Sequence, residues 1–95
     1  MADEKPKREY NITVKVIRQE GHCGAGHQVG DEVIFDGLTV QGKICIHALY
    51  SLLPKVFAMR YGAEFPWLTD PDVATHCCPD AWNPVVFEVK RIRNQ

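Results

Sequence analysis

"ICIHALYSLLPKVFAMR", residues 44–60, is where the sequence changes its period. Cys45, Leu49, Leu52, Leu53, Val56 and Phe57 recur at helical spacing, with Lys55 and Arg60 left for solvent. On either side of this stretch the repeat is two. "YNITVKVIRQ" (10–19) alternates Ile12, Val14 and Val16 against Thr13, Lys15 and Ile17, and "VVFEVKRI" (85–92) alternates Val85, Phe87 and Val89 against Val86, Glu88 and Lys90. A helical stretch enclosed by strands predicts an α+β domain: a small antiparallel sheet of about four strands, order β-β-α-β-β, covered on one face by the helical segment. Pro54 bears on the form of that segment. An interior proline loses a backbone hydrogen bond and clashes with the preceding turn, at about 3 kcal/mol, unless it opens a new helix. One kinked helix, or two short ones, is therefore expected across residues 44–61.

The remaining elements follow from turn signals. "DEVIFDG" (31–37) sets Val33, Ile34 and Phe35 between Gly30-Asp31 and Asp36-Gly37 and reads as a second strand antiparallel to the first. "LTVQG" adds a short extended piece, "DVATHC" a short strand and "CPDAWNP" a turn. "GAEFPWLTDPD" (62–72) reads as a loop, and in so small a domain Phe65 and Trp67 are expected to complete the core more than to anchor a partner. Asp70, Asp72 and Asp80 fit turn caps, since no calcium-loop spacing is present.

Composition narrows the class. At 95 residues and with 45% hydrophobic content, one domain with a modest core is expected, over residues 10–95, preceded by a flexible charged tail over 1–9. A formal charge of −1 argues against a generic nucleic-acid binder. The longest apolar stretch is broken by His47, Ser51 and Pro54 and falls short of the ~20 residues of a membrane span. "MADEKPKREY" lacks the apolar centre of a secretory signal, so a cytoplasmic location with reduced thiols is expected. Composition leaves a homo-oligomer open.

Cysteine and histidine gather in "GHCGAGH", "CIH" and "HCC", all at expected loop edges or the helix start. If these clusters converge, Cys23, His27, Cys45 and Cys78 supply a three-cysteine, one-histidine set suited to zinc. Iron, or an iron–sulfur cluster on the three cysteines, is less favoured because closely spaced cysteine runs are absent. No C-x2-C pair is present either, and Cys45 fits equally well as a small core residue. His22, His47 and His76 are expected to be exposed or hydrogen-bonded, His47 because residues two apart on a helix face different ways. Adjacent Cys77 and Cys78 bridge only through a strained ring, and one of them is expected to face the core.

Together, "GHCGAGHQVGDEVIFDG", "CIHALYSLLPKVFAMRYGAEFPW" and "CCPDAWNPVVFEVKRI" resemble a family of small bacterial and archaeal proteins. That family is marked by a G-H-C-x-x-G-H-x-x-G-D loop, a cysteine opening a leucine- and alanine-rich helix, a G-x-x-F-P-W segment and a C-P-D-x-x-N-P-V-x-F ending. The resemblance covers about residues 12–92 and falls on Cys23, His27, Gly30, Asp31, Cys45, Trp67, Cys78, Pro79 and Asp80. It implies a prokaryotic source, groups Cys23, Cys45 and Cys78, and implies Cys78 rather than Cys77 as the patterned cysteine. It brings no activity with it. Ile46 stands where the family often has proline after the helix-opening cysteine.

Two rival functions share these residues. A thiol enzyme or redox protein would use Cys45 or Cys78. The dipole of a first helical turn favours a thiolate, His27 would serve as base, and Asp31 or Asp80 would orient it. A metal-free structural or subunit-interaction module would instead keep its cysteines in the core and present Phe65 and Trp67 to a partner.

Overall fold

The computed structural model of the chain describes residues 9–93. The charged tail expected over 1–9 therefore lies, but for Glu9, outside the described residues. Six elements follow in order: β1 (Asn11–Gln19), β2 (Glu32–Asp36), β3 (Thr39–Gln41), α1 (Ile46–Arg60), β4 (Val73–Cys77) and β5 (Val85–Ile92). The strands form one antiparallel sheet in the order β3-β2-β1-β5-β4. The fold is α+β as expected, with five strands instead of four. The added strand is the short piece after Gly37: Asp36 pairs with Thr39 and Phe35 with Val40 across a two-residue turn. Gly37, at φ +67, takes the positive angle that the first central residue of such a turn requires.

One sheet face is the core. Ile12, Val14 and Val16 of β1 lie beside Val33 and Phe35 of β2 and Val85, Phe87 and Val89 of β5, and Ala48, Leu52, Val56 and Met59 of α1 cover them. Period-2 alternation puts polar residues on the other face, where Lys15 sits in register between Glu32 and Glu88. A bulge between Val16 and Arg18 makes Ile17 the extra residue; it keeps the outward parity of Thr13 and Lys15 and stays exposed.

The helix runs unbroken from Ile46 to Arg60 with Pro54 inside it, so two short helices do not form. Pro54 lies on the solvent side, between exposed Leu53 and half-buried Lys55. The carbonyl that loses its amide partner there belongs to exposed Tyr50, on the same side, where solvent can hydrate it. Among the described residues no helix is long and apolar enough to cross a membrane.

Arg91 continues the inward parity of Val85, Phe87 and Val89, and its side chain is fully buried. Its Nη1 donates to the carbonyls of Met59 and Ala63 (2.8 Å each), its Nη2 to the Pro71 carbonyl (2.8 Å) and its Nε to Asp72 Oδ1 (3.0 Å). One guanidinium thus ties the end of α1, the following turn and the approach to β4 onto β5. Partial desolvation pushes the Asp72 carboxyl up. Hydrogen bonds from Arg91 and Arg93 outweigh that and hold it below the usual carboxylate range. Phe65 packs against the core, whereas Trp67 stacks on it at 5.0 Å and remains exposed. The expected core role holds for Phe65 and fails for Trp67, which covers the Phe65 ring from outside.

Candidate functional site, a thiol-lined cleft

An antiparallel sheet in this order places the carboxyl ends of β1, β3 and β4 at the same end. The segments leaving those strands carry Cys23, Cys45 and Cys78, so the topology gathers three cysteines that the sequence spreads over more than half its length. All three line one cleft of about 770 Å³, with buried His27 and Phe87 beneath it and His47 and Asp80 also on its wall. The cysteines are free and half-buried. Cys77, with the outward parity of β4, is exposed and does not line the cleft; desolvation and the neighbouring Cys78 push its thiol up.

The glycine-rich loop is fastened to the turn opposite. Asp80 accepts hydrogen bonds from the amides of Trp82 (3.0 Å) and Asn83 (3.2 Å) and from Asn83 Nδ2 (3.3 Å), so it does cap its turn. These bonds, that of the Asn83 side chain first, hold the Asp80 carboxyl below its ordinary range. Asn83 Oδ1 in turn accepts from the amide of His22 at 2.8 Å. Gly21, at φ +70, lies so close that a Cβ there would overlap Asn83 Oδ1. Close approach is the physical need for glycine at this position. The turn also holds Cys78, whose Sγ accepts from the amide of Val85 at 3.3 Å.

His27 caps the helix. Cys45 is the N-cap residue, with ψ 135 and no capping bond from its own side chain. Instead, its amide donates to His27 Nε2 at 3.0 Å. An accepting Nε2 leaves the ring proton on Nδ1, which lies 3.9 Å from Asp31 Oδ2. The buried ring meets Phe87 edge-on, with centroids 5.9 Å apart. His27 therefore touches the backbone of Cys45, not its sulfur, and the lone pair it would give a metal is already engaged. Asp31 stands beside it as an orienting acid would, but what it orients is a structural cap.

The imidazole that meets a thiol is that of His47, whose Nδ1 lies 3.8 Å from Cys45 Sγ. Two-residue separation would set them on different faces inside a helix. At the helix start that rule does not apply, because an N-cap side chain turns back toward the second and third helical residues. The missed signal was the N-cap position of Cys45. His76 lies away from the cleft: it pairs with Ser51 Oγ at 2.8 Å and joins β4 to α1, and burial together with Lys55 lowers its pKa.

Among the described residues no three side chains of His, Cys, Asp or Glu stand close enough together to hold a metal ion as placed. No family model, curated protein or solved structure matches this chain.

Proposed function

We propose that the cleft binds a thiophilic metal ion, zinc above iron, through Cys23, Cys45 and Cys78, with His47 as the imidazole donor. The observation that carries this reading is selective placement: each of three connections brings one cysteine to a single cleft, and the fourth cysteine, adjacent in sequence to one of them, is left out. The Cys45–His47 pair adds a dimension. Zinc bonds of ~2.3 Å to sulfur and ~2.0–2.1 Å to nitrogen, at a tetrahedral angle, place the two donors about 3.5 Å apart. The 3.8 Å separation is close to that edge. Binding requires the glycine-rich loop and the Cys78 turn to close on the Cys45–His47 pair, which couples metal affinity to folding.

Zinc titration against a chromophoric chelator, on protein purified without an affinity tag, tests the proposal. One ion per chain is expected. Cys23→Ser, Cys45→Ser and Cys78→Ser should each weaken binding by roughly tenfold or more, the scale on which even outer partners of a metal ligand matter. Cys77→Ser should leave it unchanged. Metal-free, folded protein that takes up no zinc would overturn the reading, as would an equal effect of Cys77→Ser.

A second reading rests on the same contact. Cys45 stands at the start of α1 beside the His47 imidazole, a setting that would suit a reactive thiol. Selective alkylation of Cys45 in the folded, metal-free protein, slowed by His47→Ala, is its expected signature.

A further inference from the structure

The helix is apolar on two sides, and only one of them faces the sheet. Opposite the buried residues Ala48, Leu52, Val56 and Met59 runs a second row: Ile46, Tyr50, Leu53, Phe57 and Tyr61. Their spacing of four, three, four and four keeps them within about 80° of the circumference at 100° per residue. All five are exposed, Ile46 by 72%, Tyr50 by 83% and Phe57 by 67%. With ~150–250 Å² for each aromatic ring, the row presents on the order of 600 Å² of apolar surface, the upper end of the largest patch on a typical monomer.

We propose that this row is the interface of a two-fold dimer in which α1 packs antiparallel against α1 of a second copy. The symmetry of the row favours a second copy. Ile46 and Tyr61 are equidistant from the peptide joining Leu53 to Pro54, and so are Tyr50 and Phe57. An antiparallel two-fold axis at that peptide sets Ile46 against Tyr61 of the second copy, Tyr50 against its Phe57, and Leu53 against the matching Leu53–Pro54 step. A patch that complements itself about one point is what an isologous interface requires.

Area and charge agree with this assignment. Two faces together remove on the order of 1,200 Å² from solvent, the lower bound of a specific interface. The formal charge of −1 per chain gives little repulsion between copies. The spacing also matches a heptad seam over Ile46–Phe57, suited to another helix with the same seam. Phe57 and Tyr61 already meet edge-on at 5.1 Å, with the Arg60 guanidinium 5.3 Å from the Tyr61 ring centre, so this half of the face is ordered before association. The dimer does not depend on the metal reading, although Ile46 also lines the cleft and places the interface at its edge.

Light scattering and sedimentation of the full chain, over about 1–200 μM, test the proposal. A dimer is expected. Tyr50→Lys and Phe57→Glu, each alone, should weaken it by roughly 30-fold or more, as loss of a central aromatic does. The two combined place opposite charges across the seam and should recover much of the dimer. Circular dichroism and melting show that each variant remains folded, as substitutions on an exposed face allow. A wild-type chain monomeric throughout would overturn the proposal. So would single variants that dimerise unchanged, as pairing through a free strand edge predicts. A double variant no better than the singles would also overturn it, since a parallel seam would set like charges together.

Discussion

Arg91→Met is expected to lower the unfolding free energy by about 3–5 kcal/mol, the range seen when one side of a buried ionic network is removed. For a domain of this size that is a fall in Tm on the order of 20 °C. Methionine matches the length of the stem, so the loss is not chiefly one of packing. It leaves the carbonyls of Ala63 and Pro71 without the donor that reaches them at 2.8 Å, and takes from Asp72 the buried one of its two guanidinium partners. Arg91→Lys should recover less than half of the loss. A single ammonium keeps the charge but cannot span four acceptors from one planar fork. Recovery to wild-type stability by lysine, or a methionine variant within 1 kcal/mol of wild type, would show that the hydrogen bonds are not what holds the end of α1 to the sheet.

The same network sets an acid limit. The folded Asp72 carboxyl lies below its unfolded value of about 3.9. Its contribution is therefore fully present above that value and disappears as pH falls through the lower, folded one. Arg91→Met should make this acid-side loss shallower without abolishing it, because Arg93 still holds Asp72 through Nε at 2.8 and 2.9 Å. Chemical unfolding at a series of pH values between 2 and 7, on both chains, reads the difference.

Arg91 also shows where the sequence was readable and misleading at once. Its parity with Val85, Phe87 and Val89 assigns it to the core face, and its charge argues for the surface. Parity prevails because the end of α1 and the loop before β4 turn the backbone carbonyls of Met59, Ala63 and Pro71 and the Asp72 carboxylate toward the guanidinium. Such acceptors depend on tertiary packing and leave no local trace. The long strands and the helix were legible because each buries a regular row. β3 was visible only as a short extended piece, since nothing in its three exposed residues reports the hairpin that makes it a strand. Pro54 left one helix or two open, and the chain keeps one: the carbonyl that loses its amide partner belongs to exposed Tyr50, on the solvent side of the helix.

The cleft follows the same division. Grouping Cys23, Cys45 and Cys78 needs only strand order, because an antiparallel sheet sends the connections after β1, β3 and β4 to one end. Which histidine faces a thiol depends on the direction of a single ring, and spacing cannot give that. His27 and His47 both lie along this cleft, one buried and bonded to the Cys45 amide, the other exposed and facing the Cys45 sulfur.

The two histidines should therefore fail in opposite ways. His27→Leu removes the acceptor of the Cys45 amide at the start of α1, and with it a helix cap and an edge contact to Phe87; a loss of about 2 kcal/mol in stability is expected. Zinc affinity, measured where the variant is still folded, should fall only a few-fold, through the less firmly placed Cys45. His47→Ala, on an exposed side chain, should change stability by no more than about 0.5 kcal/mol while weakening zinc by roughly tenfold or more. If His27→Leu abolished binding in folded protein and His47→Ala left it intact, the ring of His27 would have to give up the Cys45 amide to the metal. The helix start would then be remade on binding, and His27 would be both its cap and its ligand. The crossed result expected here keeps those duties apart: one histidine builds the end of the helix, and the other works from it.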